Sequence, residues 1–261
     1  MSGQPPSDHP PLRTIIKGES QKGSLPILLV HGFGGTMQSW HALQERLAER
    51  TKAIAIELPG HGAATDYPGF GPPKVAARAI LANMTRLGHE RFHVVGHSMG
   101  GAVSSLITLF APDRVASATL LAPGGFGPEI NLDILGRFVA ATSTDDIAEL
   151  LPRFYTPGYE LDPDVIENQW RCLSAPGVLE ALQHIKGIVF KDGVQGTLPL
   201  ADIGALNVPV DVIWGGLDEI IPSHQMENLP VGFTTHLFPN VGHMPAEEIT
   251  DDVFSIIAGR L

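Results

Sequence analysis

The feature that most restricts this chain is the run Phe92-His93-Val94-Val95-Gly96-His97-Ser98-Met99-Gly100-Gly101. Its first half is β-branched and apolar, the signature of a buried strand. The glycines break that strand, and Ala102-Val103-Ser104-Ser105-Leu106-Ile107 continues as a helix-like segment. Gly-x-Ser-x-Gly at a strand-to-helix junction is a nucleophile elbow. A serine at its apex needs a strained backbone to push Oγ out of the turn, and side chains at Gly96 or Gly100 would crowd that turn. The following helix aims free backbone N–H groups at the reacting atom, where they favour negative charge. A bare Gly-x-Ser-x-Gly also arises by chance, so the rest of the chain has to decide.

A chain of 261 residues holds one large α/β domain, or such a domain with an insertion. Its 43% hydrophobic and 17% charged residues fit a packed globule rather than a disordered chain. A formal net charge of −11 argues against nucleic acid or an anionic membrane as partner. The single cysteine, Cys172, excludes an internal disulfide and a cysteine-rich zinc site. No N-terminal apolar run resembles a secretion signal, and no stretch nears the roughly 18 apolar residues of a membrane span. The expectation is a cytoplasmic monomer or homodimer acting on a small molecule, with no cofactor and no metal.

Taken in order, residues 1–11 are rich in Pro and polar groups and are expected as a loose tail. An edge strand is predicted over 12–17. Apolar runs at 26–30, 52–56 and 92–95 read as central strands covered on both faces. Helices are predicted over 36–50, where Trp40, Leu43 and Leu47 share a face, and over 74–87. Another strand follows over 115–121. From 126 to 206 no strong strand is visible, only helix-like segments at 130–141, 145–154, 162–173 and 177–191. Asn131, Thr144 and Asp162 stand as caps for three of them. Strands resume over 208–214 and 235–238, with a short helix over 223–228 and a closing helix over 247–261. Alternation of this kind implies a mostly parallel central sheet with helices on both faces. The expected division is an α/β core of residues 12–125 and 207–261 and a helical lid of residues 126–206.

The candidate chemical groups lie just beyond the C-terminal ends of predicted strands, where ligand and catalytic groups converge in open α/β sheets. Ser98 is a weak nucleophile until a base takes its proton, and an imidazole suits that task. His243 is the candidate base, and Asp218 the carboxylate that fixes its tautomer and stabilises the imidazolium. The oxyanion of a tetrahedral intermediate needs donors. The backbone N–H groups of Met99 and Phe33 are the candidates. His31 and His61 sit in Gly-rich loops and read as loop-holding residues, while His97 faces away from its neighbour Ser98. Substrate-lining candidates are Trp40, Phe138, Phe154, Tyr155, Trp170 and Met244. Trp40 fits core packing as well, and helix packing explains the lid aromatics equally.

With these residues in place, the sequence resembles the α/β-hydrolase superfamily over nearly its whole length. His31-Gly32-Phe33-Gly34-Gly35, Leu58-Pro59-Gly60-His61-Gly62, the elbow, Trp214-Gly215-Gly216-Leu217-Asp218 and Gly242-His243-Met244-Pro245 follow the family's order. The resemblance implies the α/β-hydrolase fold, the Ser98, Asp218 and His243 triad and a structural Glu248. Residues 120–131 and 212–222 are similar to the hydrolase-like C-terminal domain of the acetyltransferase component of acetoin dehydrogenase complexes. No lipoyl-lysine matches in this sequence, so no lipoyl group is carried over. Hydrolases of carbon–carbon bonds in aromatic degradation are also similar, although their Pro-Gly after the first His-Gly is absent here.

The leading expectation is a serine hydrolase or acyltransferase-like enzyme acting on a small ester, thioester or related acyl compound. The alternatives are a carbon–carbon bond hydrolase of vinylogous diketones using the same triad and a non-catalytic small-molecule-binding protein. The intact triad counts against the last. A carbon–carbon hydrolase must hold an ionised dienol acid, for which Arg137, Arg153, Arg171, Lys186 and Lys191 are the lid cations on offer.

Overall fold

In a computed structural model, which describes residues 9–21 and 23–261, strands and helices alternate. They begin with β1 (Thr14–Lys17), β2 (Ile27–Val30), α1 (His41–Ala48), β3 (Ala53–Ile56), α2 (Pro73–Arg86), β4 (Phe92–His97), α3 (Met99–Phe110) and β5 (Val115–Leu121). A helical stretch follows: α4 (Leu132–Phe138), α5 (Thr144–Leu150), α6 (Pro163–Leu173) and α7 (Val178–Val189). Next come the hairpin strands β6 (Phe190–Lys191) and β7 (Val194–Gln195), then α8 (Leu200–Gly204). The chain closes with β8 (Val210–Gly215), β9 (Phe233–Phe238), α9 (Pro245–Glu248) and α10 (Thr250–Ala258). The tail expected over residues 1–11 falls largely outside the described residues.

Seven strands form one sheet in the order β1-β3-β2-β4-β5-β8-β9. All neighbours are parallel except β1, which pairs antiparallel with β3 at the edge. Because side chains alternate along a strand, each buried strand feeds two cores. Ile27, Leu29, Ala53, Ala55 and Val95 join Leu43 and Leu47 of α1 and Val253 and Ile257 of α10 on one face. Leu28, Val30, Ile54, Ile56 and Val94 meet Ile80 and Met84 of α2 and Val103 and Ile107 of α3 on the other. Residues from the helical stretch, among them Ile134, Phe138, Leu182 and Ile185, join this second core.

Several elements differ from the sequence expectation in ways that local chemistry explains. The helix expected over 36–50 opens as a 3-10 turn, Met37–Trp40, because Thr36 and Ser39 form a reciprocal capping box there. The helix after it ends at Ala48. Ser143, not Thr144, caps α5, bonding Asp146 N–H in a second capping box. The β6–β7 hairpin stands where no strand was expected. Its strands are two residues each, and Asp192 and Gly193 both take positive φ at its tip. Asp-Gly is the sequence signal for that turn, but strands this short carry no readable alternation.

Two glycines set how closely the sheet's C-terminal edge is assembled. A Cβ on Gly100 would lie 2.2 Å from the Val30 carbonyl oxygen and 2.3 Å from that of His31, so α3 starts in contact with the end of β2. A Cβ on Gly215 would lie 2.1 Å from the Gly242 oxygen and 2.2 Å from that of Val241. That approach brings the loop after β8 against the loop after β9. Gly100→Ala should therefore lower the stability measured by urea denaturation by about 3 kcal/mol, as forced overpacking does. An unchanged denaturation midpoint would show that the edge yields at no cost.

Candidate active site

Ser98 occupies the turn between β4 and α3 with φ 52° and ψ −118°, a conformation that side chains rarely adopt and that costs on the order of 1–3 kcal/mol. The surroundings fix it. Ser98 N–H donates to the Leu121 carbonyl at 2.9 Å, and its own carbonyl accepts from Gly101 and Gly124, each at 2.9 Å. Met99 is the first residue of α3, so its N–H has no carbonyl four residues back within the helix. Phe33 lies in the loop after β2, whose Gly32 approaches Ser98 so closely that a Cβ there would sit 3.2 Å from the serine Cβ. Ser98, Met99, Phe33 and His243 all line one cavity of about 1150 Å³.

Asp218 and His243 meet across the two loops after β8 and β9. His243 Nδ1 donates to Asp218 Oδ2 at 2.7 Å, and both side chains are buried. The same oxygen accepts from the Trp214 indole Nε1–H at 3.0 Å. Oδ1 accepts from the backbone N–H groups of Ile220 at 2.8 Å and Ile221 at 2.9 Å. A buried carboxylate needs such donors to stay ionised. With Nδ1 engaged, Nε2 is the imidazole nitrogen left for a proton from elsewhere.

Glu248 supports the histidine loop from below, accepting from the N–H groups of Gly242, Met244 and Thr156 at 3.0–3.3 Å. His243 N–H donates to the Phe154 carbonyl at 2.7 Å. His31 accepts the Leu58 N–H at Nε2, 3.0 Å away, and its Nδ1 donates to the Gly32 carbonyl at 2.9 Å, tying the first two loops together. Sequence reasoning missed Trp214 as a partner of Asp218. Its position four residues ahead of the acid, at the end of a strand, was the signal available.

The cavity walls are mainly apolar. Phe138, Phe154, Tyr155, Met244 and Trp40 line it, and Trp40 is also buried in the core beside α1. Trp170 is not among the lining residues and packs, partly buried, against the larger core. Its ring belongs to the inward face of an amphipathic helix, and helix packing accounts for it. Leu135, Leu151, Phe190 and Leu198 also line the cavity. They were missed because an apolar residue in a helix or a short hairpin looks the same in sequence whether it faces a core or a ligand. The Tyr155 hydroxyl donates to Glu247 Oε2 at 2.6 Å, and burial raises the pKa of both groups.

Of the cations between β5 and β8, Arg171 lines the cavity, is exposed and donates to Asn168 Oδ1 at 2.8 Å. Lys74 of α2 lines it too and is exposed. Arg137 pairs with Glu149 and Arg153 with Glu219, and neither lines the cavity, nor do Lys186 and Lys191.

The fold and the sequence together define a hydrolase-class chain: the sequence model of the alpha/beta hydrolase family matches residues 27–255, and the chain belongs to that family. Among characterised relatives, it is 32% identical over 241 residues to the dihydrolipoyllysine-residue acetyltransferase component of the acetoin cleaving system of Cupriavidus necator. That alignment covers 92% of this chain and 64% of the relative, so the chain spans less than two thirds of that protein. It is 25% identical over 255 residues to the 2-hydroxy-6-oxononadienedioate/2-hydroxy-6-oxononatrienedioate hydrolase of Comamonas testosteroni, covering 86% of this chain and 83% of that one. A solved meta-cleavage product hydrolase from Pseudomonas fluorescens superposes with a TM-score of 0.83 over 95% of this chain and 93% of that chain. At 20% identity that likeness concerns the fold. Among the described residues, no helix is long and apolar enough to cross a membrane.

Two enclosed histidines stay neutral in the fold. His61 is buried with its Nε2 unpartnered among the described residues, and burial pushes its pKa down to about 3. Enclosure likewise pushes His97 down to about 3, with the nearby His243 adding to the shift. In the unfolded chain both rings titrate near 6.5. The unfolded state then binds protons that the folded state refuses, so stability falls as pH drops from about 6.5 towards about 3. Thermal unfolding followed from pH 7.5 to 4.5 should show this loss. His61→Gln, which removes one of the two rings, should make the slope shallower; an unaltered slope would contradict the assignment.

Proposed function

We propose that this protein is a serine hydrolase, acyltransferase-like in mechanism, acting on a small ester, thioester or related uncharged acyl compound. The observation that carries the reading is the His243–Asp218 hydrogen bond of 2.7 Å formed beside a cavity that Ser98 and His243 share. In this reading His243 Nε2 takes the Ser98 proton as Oγ attacks the acyl carbon. The N–H groups of Met99 and Phe33 receive the oxyanion. His243 then protonates the leaving group, and water, activated by the same nitrogen, hydrolyses the acyl-enzyme. Asp218 holds Nδ1–H throughout and steadies the imidazolium. The segment of residues 126–206 acts as the lid of a core formed by residues 12–125 and 207–261, roofing the cavity with apolar side chains. The single free cysteine suits a reducing, cytoplasmic setting.

The apolar walls favour an acyl group without charge, since an unpaired carboxylate inside them would lose its hydration. A second reading, hydrolysis of a carbon–carbon bond in a vinylogous diketone, is supported by Arg171, which lines the cavity and offers a carboxylate partner. The likeness to the Comamonas testosteroni hydrolase points the same way.

A panel of nitrophenyl esters, acyl thioesters and vinylogous diketones separates the two. The acyl hydrolase reading expects turnover of uncharged esters or thioesters and none of the diketones. Ser98→Ala should lower kcat on the order of 10³-fold or more. Turnover of diketones that Arg171→Ala abolishes, with esters untouched, would replace the first reading by the second. Full activity in Ser98→Ala would exclude both.

A further inference from the structure

We propose that His97 is a positioning residue for His243, holding the loop that carries the base through a hydrogen bond to the His243 backbone carbonyl. The inference rests on the reading of Ser98, Asp218 and His243 as the reacting triad. His97 Nε2 lies 2.8 Å from the His243 oxygen. A carbonyl only accepts, so Nε2 carries the proton and Nδ1 of the neutral ring is bare.

The loop around His243 is otherwise anchored elsewhere. Its N–H is taken by the Phe154 carbonyl, and the N–H groups of Gly242 and Met244 by Glu248. The carbonyl of His243 itself is what His97 secures. The two imidazoles lie with centroids 4.9 Å apart.

The other side of the His97 ring faces the oxyanion loop. A Cβ on Gly32 would stand 3.0 Å from His97 Nδ1 and 3.4 Å from Cε1. The ring therefore fills the gap between the loop that offers Phe33 N–H and the loop that carries the base. It is also the residue directly before Ser98, at the last position of β4. One strand end thus supplies both the nucleophile and the strut that spaces its two partners.

The strut works only while uncharged. His243, Asp218 and His31 are the ionisable groups that face it. A cationic His97 would oppose the imidazolium that His243 becomes during reaction. Its enclosed site keeps it neutral down to about pH 3.

The test uses an alkyl fluorophosphonate, which reports activation of the serine whatever the natural substrate. His97→Gln keeps an N–H within reach of the carbonyl, His97→Phe keeps a ring without a donor, and His97→Ala keeps neither. The inactivation rate constant should fall between about tenfold and a hundredfold in Phe and Ala, as expected for a misplaced catalytic group. The half-saturating probe concentration should stay within about twofold, and Gln should stay within about threefold of the parent rate. Thermal midpoints recorded alongside separate misfolding from misplacement, and Gln against Ala decides the matter if Phe does not fold. A Gln variant as slow as Ala, or an Ala variant as fast as the parent, overturns the proposal while Ser98→Ala remains unlabelled. A parent protein that the probe fails to label, or a Ser98→Ala variant that it does label, overturns the triad reading and the proposal with it.

Discussion

The molecule depends first on a single strained residue. Ser98 holds a backbone conformation that a free chain would leave, and it persists because its neighbours over-determine it. Its N–H is committed to β5, its carbonyl to Gly101 and Gly124, and α3 presses against the end of β2 through Gly100. A strain on the order of 1–3 kcal/mol is small against two packed cores, provided the glycines leave room. Remove that room and the cost is paid by the sheet edge itself.

The second constraint is electrostatic. Asp218 is buried, so its charge is stable only with donors around it. It has two backbone N–H groups, the Trp214 indole and His243. Exclusion of water strengthens the bond to His243. Gly215 allows the acid loop and the histidine loop to touch. Backbone packing and charge placement are therefore one arrangement: the close approach that only glycine permits is what lets an aspartate from one strand end reach a histidine from the next.

Above these loops, the segment between β5 and β8 contributes Leu135, Phe138, Leu151 and Phe154 to the walls of the cavity. Phe138 and Phe154 contact one another at 5.4 Å between ring centroids, and Phe154 reaches the His243 ring at 6.1 Å. The helical segment and the His243 ring are thus in physical contact, so a change in the packing of Phe154 is felt at the imidazole. Arg171 and Lys74, which also line the cavity, are exposed to solvent.

The strands, their succession along the chain and the mostly parallel sheet were legible because they follow from local patterns. Four-residue apolar runs, helical spacing and glycine punctuation report short-range physics, and they placed each strand end and each candidate group beyond it. The elbow was readable for the same reason: its glycines are required by contacts within a few residues and the adjacent strand. The hairpin at Phe190–Gln195, the capping shift from Thr144 to Ser143 and the 3-10 start before α1 were not, since each turns on one hydrogen bond or one turn among near-equals. Nor could the sequence distinguish Trp170 in the core from Phe138 at the cavity, because both are aromatic residues on amphipathic helices. The partnership of Trp214 with Asp218 and the placing of His97 against the His243 carbonyl, 146 positions away in the chain, belong to the tertiary structure alone. Sequence periodicity records which face of an element is buried; only the assembled fold decides which distant atom it is buried against.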